Sequence, residues 1–507
     1  MVDFWFFLIY TLVLTAMGFS LPSIYFDPYQ KKLIFVLGLV GIWRYGWFFI
    51  NIIRATIYKR IVFKKIRKIE ESHKEEVDPE HIFLLLTTFR IGTDVTIRVY
   101  RAVIEEAIRC GYNVTIIASI VEMSEERLIR KIFLEHKPPS RVCLTISRIK
   151  GTGKRDGLSV GFRVVANASN VNLEKSVVAV IDGDSILGED LIRKCARLFG
   201  VNDNLGALTT DEDAILAGDD FPHNIYRQWY KLRFAQRNIS MSSMALSNRV
   251  LTLTGRMSMI RANIVATRDF IETVQDDHIN HPILGKFKFL TGDDKSSWFD
   301  VVKEGWDMLY IPDVVVYTVE EIPDKNYFKG SIMLMHRWFG NQYRTNTRAL
   351  KLSPKTFNWY PWYGLIDQRV TMWTAPYGLF IALFGSLNWG IEIFYAYIWW
   401  VLFSRLLMTY AYRLSREEIL PSWPFFLYYN QIVGSFVKIY IWNHLYKQSW
   451  TRQKTKLKTE DRFIQWYRKT AGDTLTIVKF LFFIIVVNIL VQNITFDEIW
   501  SFFNIII

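Results

Sequence analysis

Val177-Val178-Ala179-Val180-Ile181 runs directly into Asp182-Gly183-Asp184-Ser185. Apolar strand residues that stop abruptly at a pair of carboxylates make a seat for a metal ion. Residues 182 and 184 alternate at a strand end, so both side chains can face one cavity. Paired oxygen ligands suit Mg²⁺ or Mn²⁺ neutralising a diphosphate. Asp-Gly is also favoured turn chemistry, and an acidic turn is the other reading of the same residues.

Around this stretch, from about residue 70 to 355, apolar runs of strand length alternate with amphipathic helical stretches, which predicts an α/β domain. Ile82-Phe83-Leu84-Leu85-Leu86 ends at Thr87-Thr88-Phe89-Arg90, and Asp94 is placed to cap a helix through Cys110. Val114 to Ile120 supplies the next strand. Ligands of such domains sit beyond the strand carboxyl ends, so Thr87, Thr88, Arg90 and Glu122 are expected to face one crevice.

Outside the domain the chain is too apolar for an ordinary soluble enzyme, with 50% hydrophobic and 16% aromatic residues over 507 positions. Phe4–Ser20 and Leu33–Ile53 are each long enough to cross a bilayer. The first lacks a basic leader and a small-residue cleavage site, so it reads as a retained anchor. Arg54, Lys59, Arg60, Lys64, Lys65, Arg67 and Lys68 follow the second span, against only Lys31 and Lys32 between the spans. That asymmetry places the central domain in the cytoplasm. Ile57, Ile61 and Ile66 among those cations suit a helix lying on anionic headgroups.

The net charge of +13 therefore has a membrane-proximal source, and nucleic-acid binding is not indicated. Met372–Leu387 and Trp389–Tyr412 read as a membrane hairpin turning at Asn388, and Asp473–Ile494 as a last crossing. Leu420–Tyr446 is apolar but carries Pro421, Pro424, Asn430, Gln431 and Lys438, which favours two re-entrant or interfacial half-helices. Cys110, Cys143 and Cys195 lack metal or redox spacing and read as reduced packing residues.

Further constellations lie in the α/β domain. Gly151-Thr152-Gly153-Lys154-Arg155-Asp156-Gly157 fails the phosphate-loop pattern, because Arg155 follows Lys154, yet a basic glycine-rich turn suits a nucleotide. Asp156 is expected to hold Lys154 or Arg155. Gly206–Thr210 ending at Asp211-Glu212-Asp213 repeats the strand-then-acid pattern, and Leu253–Met259 offers small residues for close approach. His278 and His281, one helical turn apart beside Asp276 and Asp277, can be drawn as a metal cluster or as a solvated helix face.

Leu290-Thr291-Gly292-Asp293-Asp294-Lys295 brings two acids to a helix start, where a carboxylate can act as general base or merely as a cap. Arg337-Trp338 joins a cation to an indole: Trp faces stack on sugars and Arg pairs with diphosphate oxygens. A Trp and Arg belt at a membrane surface is the alternative.

Taken in order, Asp182-Gly183-Asp184, Gly292-Asp293-Asp294, Arg337-Trp338 and Ser449-Trp450-Thr451-Arg452 resemble the motifs of processive membrane family-2 glycosyltransferases, the cellulose, chitin and hyaluronan synthases among them. Thr87–Arg90, Gly151–Gly157, Leu290–Phe299, Arg337–Asn341 and Asp367-Gln368-Arg369 are most similar to the mannuronan (alginate) synthase branch, over nearly the whole chain. Two departures stand out: Leu334 replaces the Gln of Q-x-x-R-W, and Trp450-Thr451 lacks the Gly of W-G-T-R.

The resemblance implies a GT-A-like, Rossmann-like domain inserted between transmembrane helices, on the inner membrane of a bacterial cell. It implies Asp182 and Asp184 as holders of Mg²⁺ or Mn²⁺, and Asp294, with Asp293, as the catalytic pair. Trp338, Arg337 and Asp211 would bind the acceptor. Thr87, Arg90, Lys154, Asp182, Trp450 and Arg452 would line the nucleotide pocket. The implied partners are a nucleotide-sugar donor such as GDP-mannuronate, the growing polysaccharide, the bilayer, a cyclic di-GMP-sensing membrane protein and periplasmic export proteins.

The resulting plan has two membrane helices over 1–53, a catalytic domain over 54–355 and an interfacial helix over 356–371. A membrane hairpin over 372–412, an interfacial segment with a gating loop over 413–472 and a final span over 473–507 complete it.

Overall fold

The computed structural model describes residues 2–22, 31–73, 77–150, 153–448 and 461–491. The chain forms two compact units, one of residues 53–365 with 446–459, the other of residues 1–52, 366–445 and 460–507.

The first unit is built on strands β1 (His81–Thr87), β2 (Val114–Ile120), β3 (Val142–Arg148), β4 (Ser176–Asp182), β5 (Ser185–Leu187), β6 (Leu205–Leu216), β7 (Met257–Arg261) and β10 (Asp307–Glu320). They form one mixed sheet in the order β3-β2-β1-β4-β7-β6-β10-β5. The first four strands are parallel, β7 runs against both its neighbours, and β10 is parallel to β6. A parallel sheet needs a covering crossover between strands. The helices Thr93–Arg109, Met123–Glu135 and Lys154–Ala166 provide it.

Ile82–Leu86 and Val177–Ile181 are almost wholly shielded from solvent, as expected of central strands covered on both faces. Each such side chain contributes roughly 1.5–3 kcal/mol by leaving water. The order 3-2-1-4 reverses between β1 and β4, and that reversal opens a crevice beyond their carboxyl ends.

The segment after the second apolar helix is partly absorbed into this unit. Tyr58, at a π-helical turn over Tyr58–Val62, is fully buried and donates to the Tyr310 carbonyl at 2.6 Å. Arg67 forks onto Asp313, and Lys59 donates to Asn238 Oδ1. These cations are spent on the protein. Arg60, Lys64, Lys65 and Lys68 remain exposed beside Ile57 and Ile61, so only that face fits the lipid-surface reading.

In the second unit, Val2–Ser20, Glu392–Ala411 and Trp423–Asn443 are continuous helices, and Trp399 Nε1 donates to the Leu14 carbonyl at 2.8 Å. Among the described residues, four helices are long and apolar enough to cross a membrane: Asp3–Ser20, Trp359–Asn388, Glu392–Leu414 and Arg462–Leu490. The stretch expected as two half-helices forms one helix over Trp423–Asn443, because its prolines fall at the start, where no backbone donor is lost. Residues 356–371 likewise are not a separate interfacial helix. Trp359–Trp389 is unbroken, and the hairpin turns at Gly390, whose φ of +95° suits glycine alone.

Candidate active site

The parallel register places Thr87 beside Asp182 at the crevice. The Gly183 N–H donates to the Thr87 carbonyl at 3.2 Å, and a Cβ on Gly183 would come 2.7 Å from that oxygen. Only glycine lets the acidic turn lie across the end of β1. The Thr87 hydroxyl is buried there without a hydrogen bond among the described residues. Asp184 follows where its carbonyl accepts from Val319 N at 2.9 Å.

Lys154 opens its helix after Gly153 and reaches both acidic motifs. Its ammonium lies 2.5 Å from Asp182 Oδ1 and 2.7 Å from Asp293 Oδ2. Burial alone would pull that ammonium down, but the two carboxylates outweigh it and hold the proton above the usual lysine range. Arg155 turns the other way, donating to the carbonyls of Val274 and Thr291 and to Ser296 Oγ, and so braces the loop before Gly292. Gly292, at φ +84°, then starts the helix Asp293–Lys303.

The adjacent acids are driven apart. Burial pushes Asp293 up, yet Lys154 and Arg155 prevail and leave it below the ordinary carboxylate value. Burial and the Asp293 charge raise Asp294, with Lys295 and Lys154 opposing. Asp294 is half-buried and makes no ion pair among the described residues. Neighbouring carboxyls separated in this way suit a fixed counter-ion beside a proton acceptor. Burial also lowers the Lys295 ammonium to about 8, with Asp294 opposing and the Arg237 charge contributing.

Trp338 stands on the helix Tyr327–Ala349, one turn before Asn341. Asn341 Oδ1 accepts from Thr291 Oγ1 at 2.6 Å, and its Cγ lies 3.2 Å from where a Gly292 Cβ would be. The indole is thereby fixed to the loop carrying Asp293 and Asp294. Its ring stacks on Trp229 with centroids 5.6 Å apart. Arg337 lies beside it, half-buried. Gln448 caps the same loop, accepting from Leu290 N at 2.8 Å and donating to the Lys288 carbonyl at 2.9 Å.

The structure thus brings Thr87, Lys154, Asp182, Asp184, Asp293, Asp294 and Trp338 to connected elements. Arg90 lies just past β1, exposed, in a left-handed conformation with φ 51°. Trp450 and Arg452 lie outside the described residues.

Asp211 is corrected: β6 does not end there but runs on to Leu216, and Asp211 is buried, accepting from Tyr310 OH at 2.7 Å and Asn238 Nδ2 at 3.1 Å. Its carboxylate is engaged inside the fold rather than standing at a strand end beside the crevice. Asp94 is not a cap, since Gly92 holds that position. Thr88 is buried against Tyr100, and Glu122 closes a capping box with Glu125. Asp156 accepts from Gln275 rather than holding Lys154 or Arg155. His278 and His281 belong to a two-stranded hairpin, β8 (His278–His281) with β9 (Gly285–Lys288), where His281 accepts from the turn amides of Ile283 and Leu284.

A helix-borne wall went unread in the sequence. Trp229, Arg233 and Arg237 share one face of the helix Phe221–Ala245, a spacing that could have been found at i, i+4 and i+8.

As a cation seat, Asp182 and Asp184 offer hard oxygens only. Each charge raises the other's cost, as the upward push of burial and Asp184 on Asp182 shows. Among the described residues no group of three or more His, Cys, Asp or Glu side chains gathers to enclose a metal. Two carboxylates with open positions for phosphate and water suit Mg²⁺ or Mn²⁺ shared with a substrate.

Residues 79–341 match the family described as glycosyltransferase-like family 2. The chain is 44% identical over 470 residues to glycosyltransferase alg8 of Pseudomonas syringae pv. tomato, covering 92% of this chain and 94% of that one. It is 45% identical over 471 residues to glycosyltransferase alg8 of Azotobacter vinelandii, with the same coverage. A solved mannosyltransferase of Pyrobaculum calidifontis, in complex with GDP-Man and Mn²⁺, is 14% identical with a TM-score of 0.42, covering 77% of this chain and 97% of its own. The catalytic unit has the GT-A-like arrangement of a mixed sheet with flanking helices, and the chain is an enzyme belonging to the family-2 glycosyltransferases.

Proposed function

We propose that this glycosyltransferase is a processive, inverting polymerase that builds polymannuronate from GDP-mannuronate on the cytoplasmic face of the inner membrane and passes the chain across. The observation carrying this reading is the Lys154 bridge between Asp182 and Asp293, which ties a donor-side acid to the neighbour of Asp294, whose pKa is raised. The identity to the two alg8 glycosyltransferases supports the alginate branch over UDP-sugar branches. The four apolar helices support a membrane setting.

Thr87, Lys154 and Arg90 receive the nucleotide diphosphate. Asp182 and Asp184 would hold Mg²⁺ or Mn²⁺, which when bound neutralises the diphosphate leaving group. Trp338 stacks on the terminal acceptor sugar, with Arg337 beside it. Asp294 takes the proton from the acceptor hydroxyl as its oxygen bonds to the anomeric carbon; the bond from that carbon to the phosphate oxygen breaks, and the nucleoside diphosphate leaves from the opposite face. Asp293 stays ionised and keeps Lys154 in place.

Membranes containing the full chain, incubated separately with GDP-mannuronate, GDP-mannose, UDP-glucose and UDP-glucuronate plus UDP-N-acetylglucosamine, test the reading. An acidic mannuronate polymer from the first alone is expected. Polymer from a UDP-sugar would replace it with a hyaluronan- or capsule-type synthase. Full function in an Asp294→Asn chain would point instead to a transporter or sensor with a degenerate sugar-nucleotide domain.

A further inference from the structure

Among the described residues Arg233 is a cation without a counter-ion, beside two arginines that are ion-paired. Its guanidinium carbon lies 4.1 Å from the Trp338 ring centroid and 5.3 Å from that of Trp229. Its neighbours are all neutralised: Arg237 pairs with Glu212, and Arg256 pairs with Glu212 and Glu320. Three guanidiniums thus face two carboxylates, leaving one positive charge. Among the described residues Arg233 makes neither an ion pair nor a hydrogen bond. Burial draws its pKa down to about 10, with the Arg256 charge a further depressing cause, as for a cation short of an anion.

The location gives that charge a meaning. Arg237, one turn along the helix, acts electrostatically on Lys295, the neighbour of Asp294. Arg233 thus lies over the Trp338 indole one helical turn from an arginine whose charge is felt beside Asp294, while Thr87 and Asp182 are paired on β1 and β4. A cation–π contact returns less than the cost of desolvating a guanidinium, so a stacked arginine still offers its fork to a planar anion. A carboxylate suits that fork in two parallel hydrogen bonds.

We propose that Arg233 binds the carboxylate of the hexuronate resting on Trp338, making the acceptor site selective for acidic over neutral sugar chains. The assignment deepens the polymannuronate reading above and rests on it. Neutral-polymer synthesis would leave the same charge unanswered at every cycle.

The test uses the full chain in lipid nanodiscs, titrated with a mannuronate tetrasaccharide, with its carboxyl-reduced neutral counterpart and with GDP, and read by intrinsic tryptophan fluorescence. The unaltered protein is expected to prefer the acidic tetrasaccharide roughly tenfold or more, the scale of one charge-assisted bidentate contact. Arg233→Gln is expected to lose that preference with GDP affinity unchanged and thermal unfolding not lowered, since it removes an uncompensated charge. Arg233→Lys is expected to keep part of the preference, and it carries the test if the glutamine variant does not fold.

An undiminished acidic preference in the substituted chains overturns the proposal. So does a loss of GDP affinity with the preference intact, which would make Arg233 a diphosphate contact. A protein that polymerises GDP-mannuronate yet keeps its preference without Arg233 refutes only this assignment. A protein that uses UDP-sugars alone refutes the polymannuronate reading itself.

Discussion

The Lys154 ammonium lies 2.7 Å from Asp293 Oδ2, so a residue preceding the whole β4 turn is locked to one that follows β9. Replacing it with methionine strands two buried carboxylates against each other. Lys154→Met is expected to cost roughly 3–5 kcal/mol of stability, the range for removing one partner of a buried pair. Release of nucleoside diphosphate should fall at least ~100-fold. Thermal unfolding and a coupled nucleotide assay measure both.

Asp294 and Asp293 should separate by pH. A general base works deprotonated, so activity rises as pH passes through the Asp294 pKa, which burial and Asp293 hold above the ordinary carboxylate range. Asp294→Asn is expected to reduce turnover by roughly 10²–10⁴ while donor binding survives. Asp293→Asn removes the negative neighbour, and its residual activity should show an acidic limb moved to lower pH. A pH–rate profile of each variant decides; an unmoved limb in Asp293→Asn would show that a different group is titrating.

Asp300, on the same helix but away from the crevice residues, predicts a stability effect of opposite sign to the usual carboxylate. Burial pushes its pKa up to about 6, with Lys303 and Arg348 opposing. The folded state therefore holds the proton more tightly than the unfolded chain, and stability is lost as pH rises from the unfolded value of about 3.9 towards 6. Asp300→Asn should stabilise by about 1 kcal/mol above pH 7, allowing for partial solvent screening, and by progressively less towards pH 4. Unfolding midpoints across that range check the slope.

Gln448→Ala should spare the fold and weaken catalysis. Its side chain holds both Leu290 N and the Lys288 carbonyl on the approach to Gly292. Loss of those contacts is expected to lower kcat/KM for the donor roughly tenfold, equivalent to one or two hydrogen bonds. Steady-state kinetics beside an unchanged circular dichroism spectrum would bear this out.

Gly183→Ala pits a methyl group against the Thr87 carbonyl at 2.7 Å. The turn bearing Asp182 and Asp184 must move, so donor binding should fall at least tenfold. The core strands on either side should hold. Titration with GDP and a divalent cation, alongside thermal unfolding, measures the split.

Much of the catalytic unit was legible in the chain itself. The β4 run and its end at Asp182 read correctly because a buried strand announces itself by unbroken apolar character and ends where polarity begins. The same rule failed at Asp211, where β6 continues because Tyr310, Asn238, Arg237 and Arg256 satisfy its acids from distant elements. Compensation of that kind leaves no local trace. The His278–His281 hairpin was too short for strand alternation to be distinguished from a helical face. Lys154 was recognisable as a basic loop residue, but its two partners could not be read. Arg233 drew no notice because its significance lies in what it lacks.

The contact between Asn341 and Gly292 makes the Trp338 helix and the base motif one mechanical piece. On the proposed assignment, the place where a sugar rests and the atom that takes its proton share a single ruler. Such a site cannot follow the chain end outward after each addition. The product must be the part that slides, and each step has to return a new end to the same mark before another bond can form.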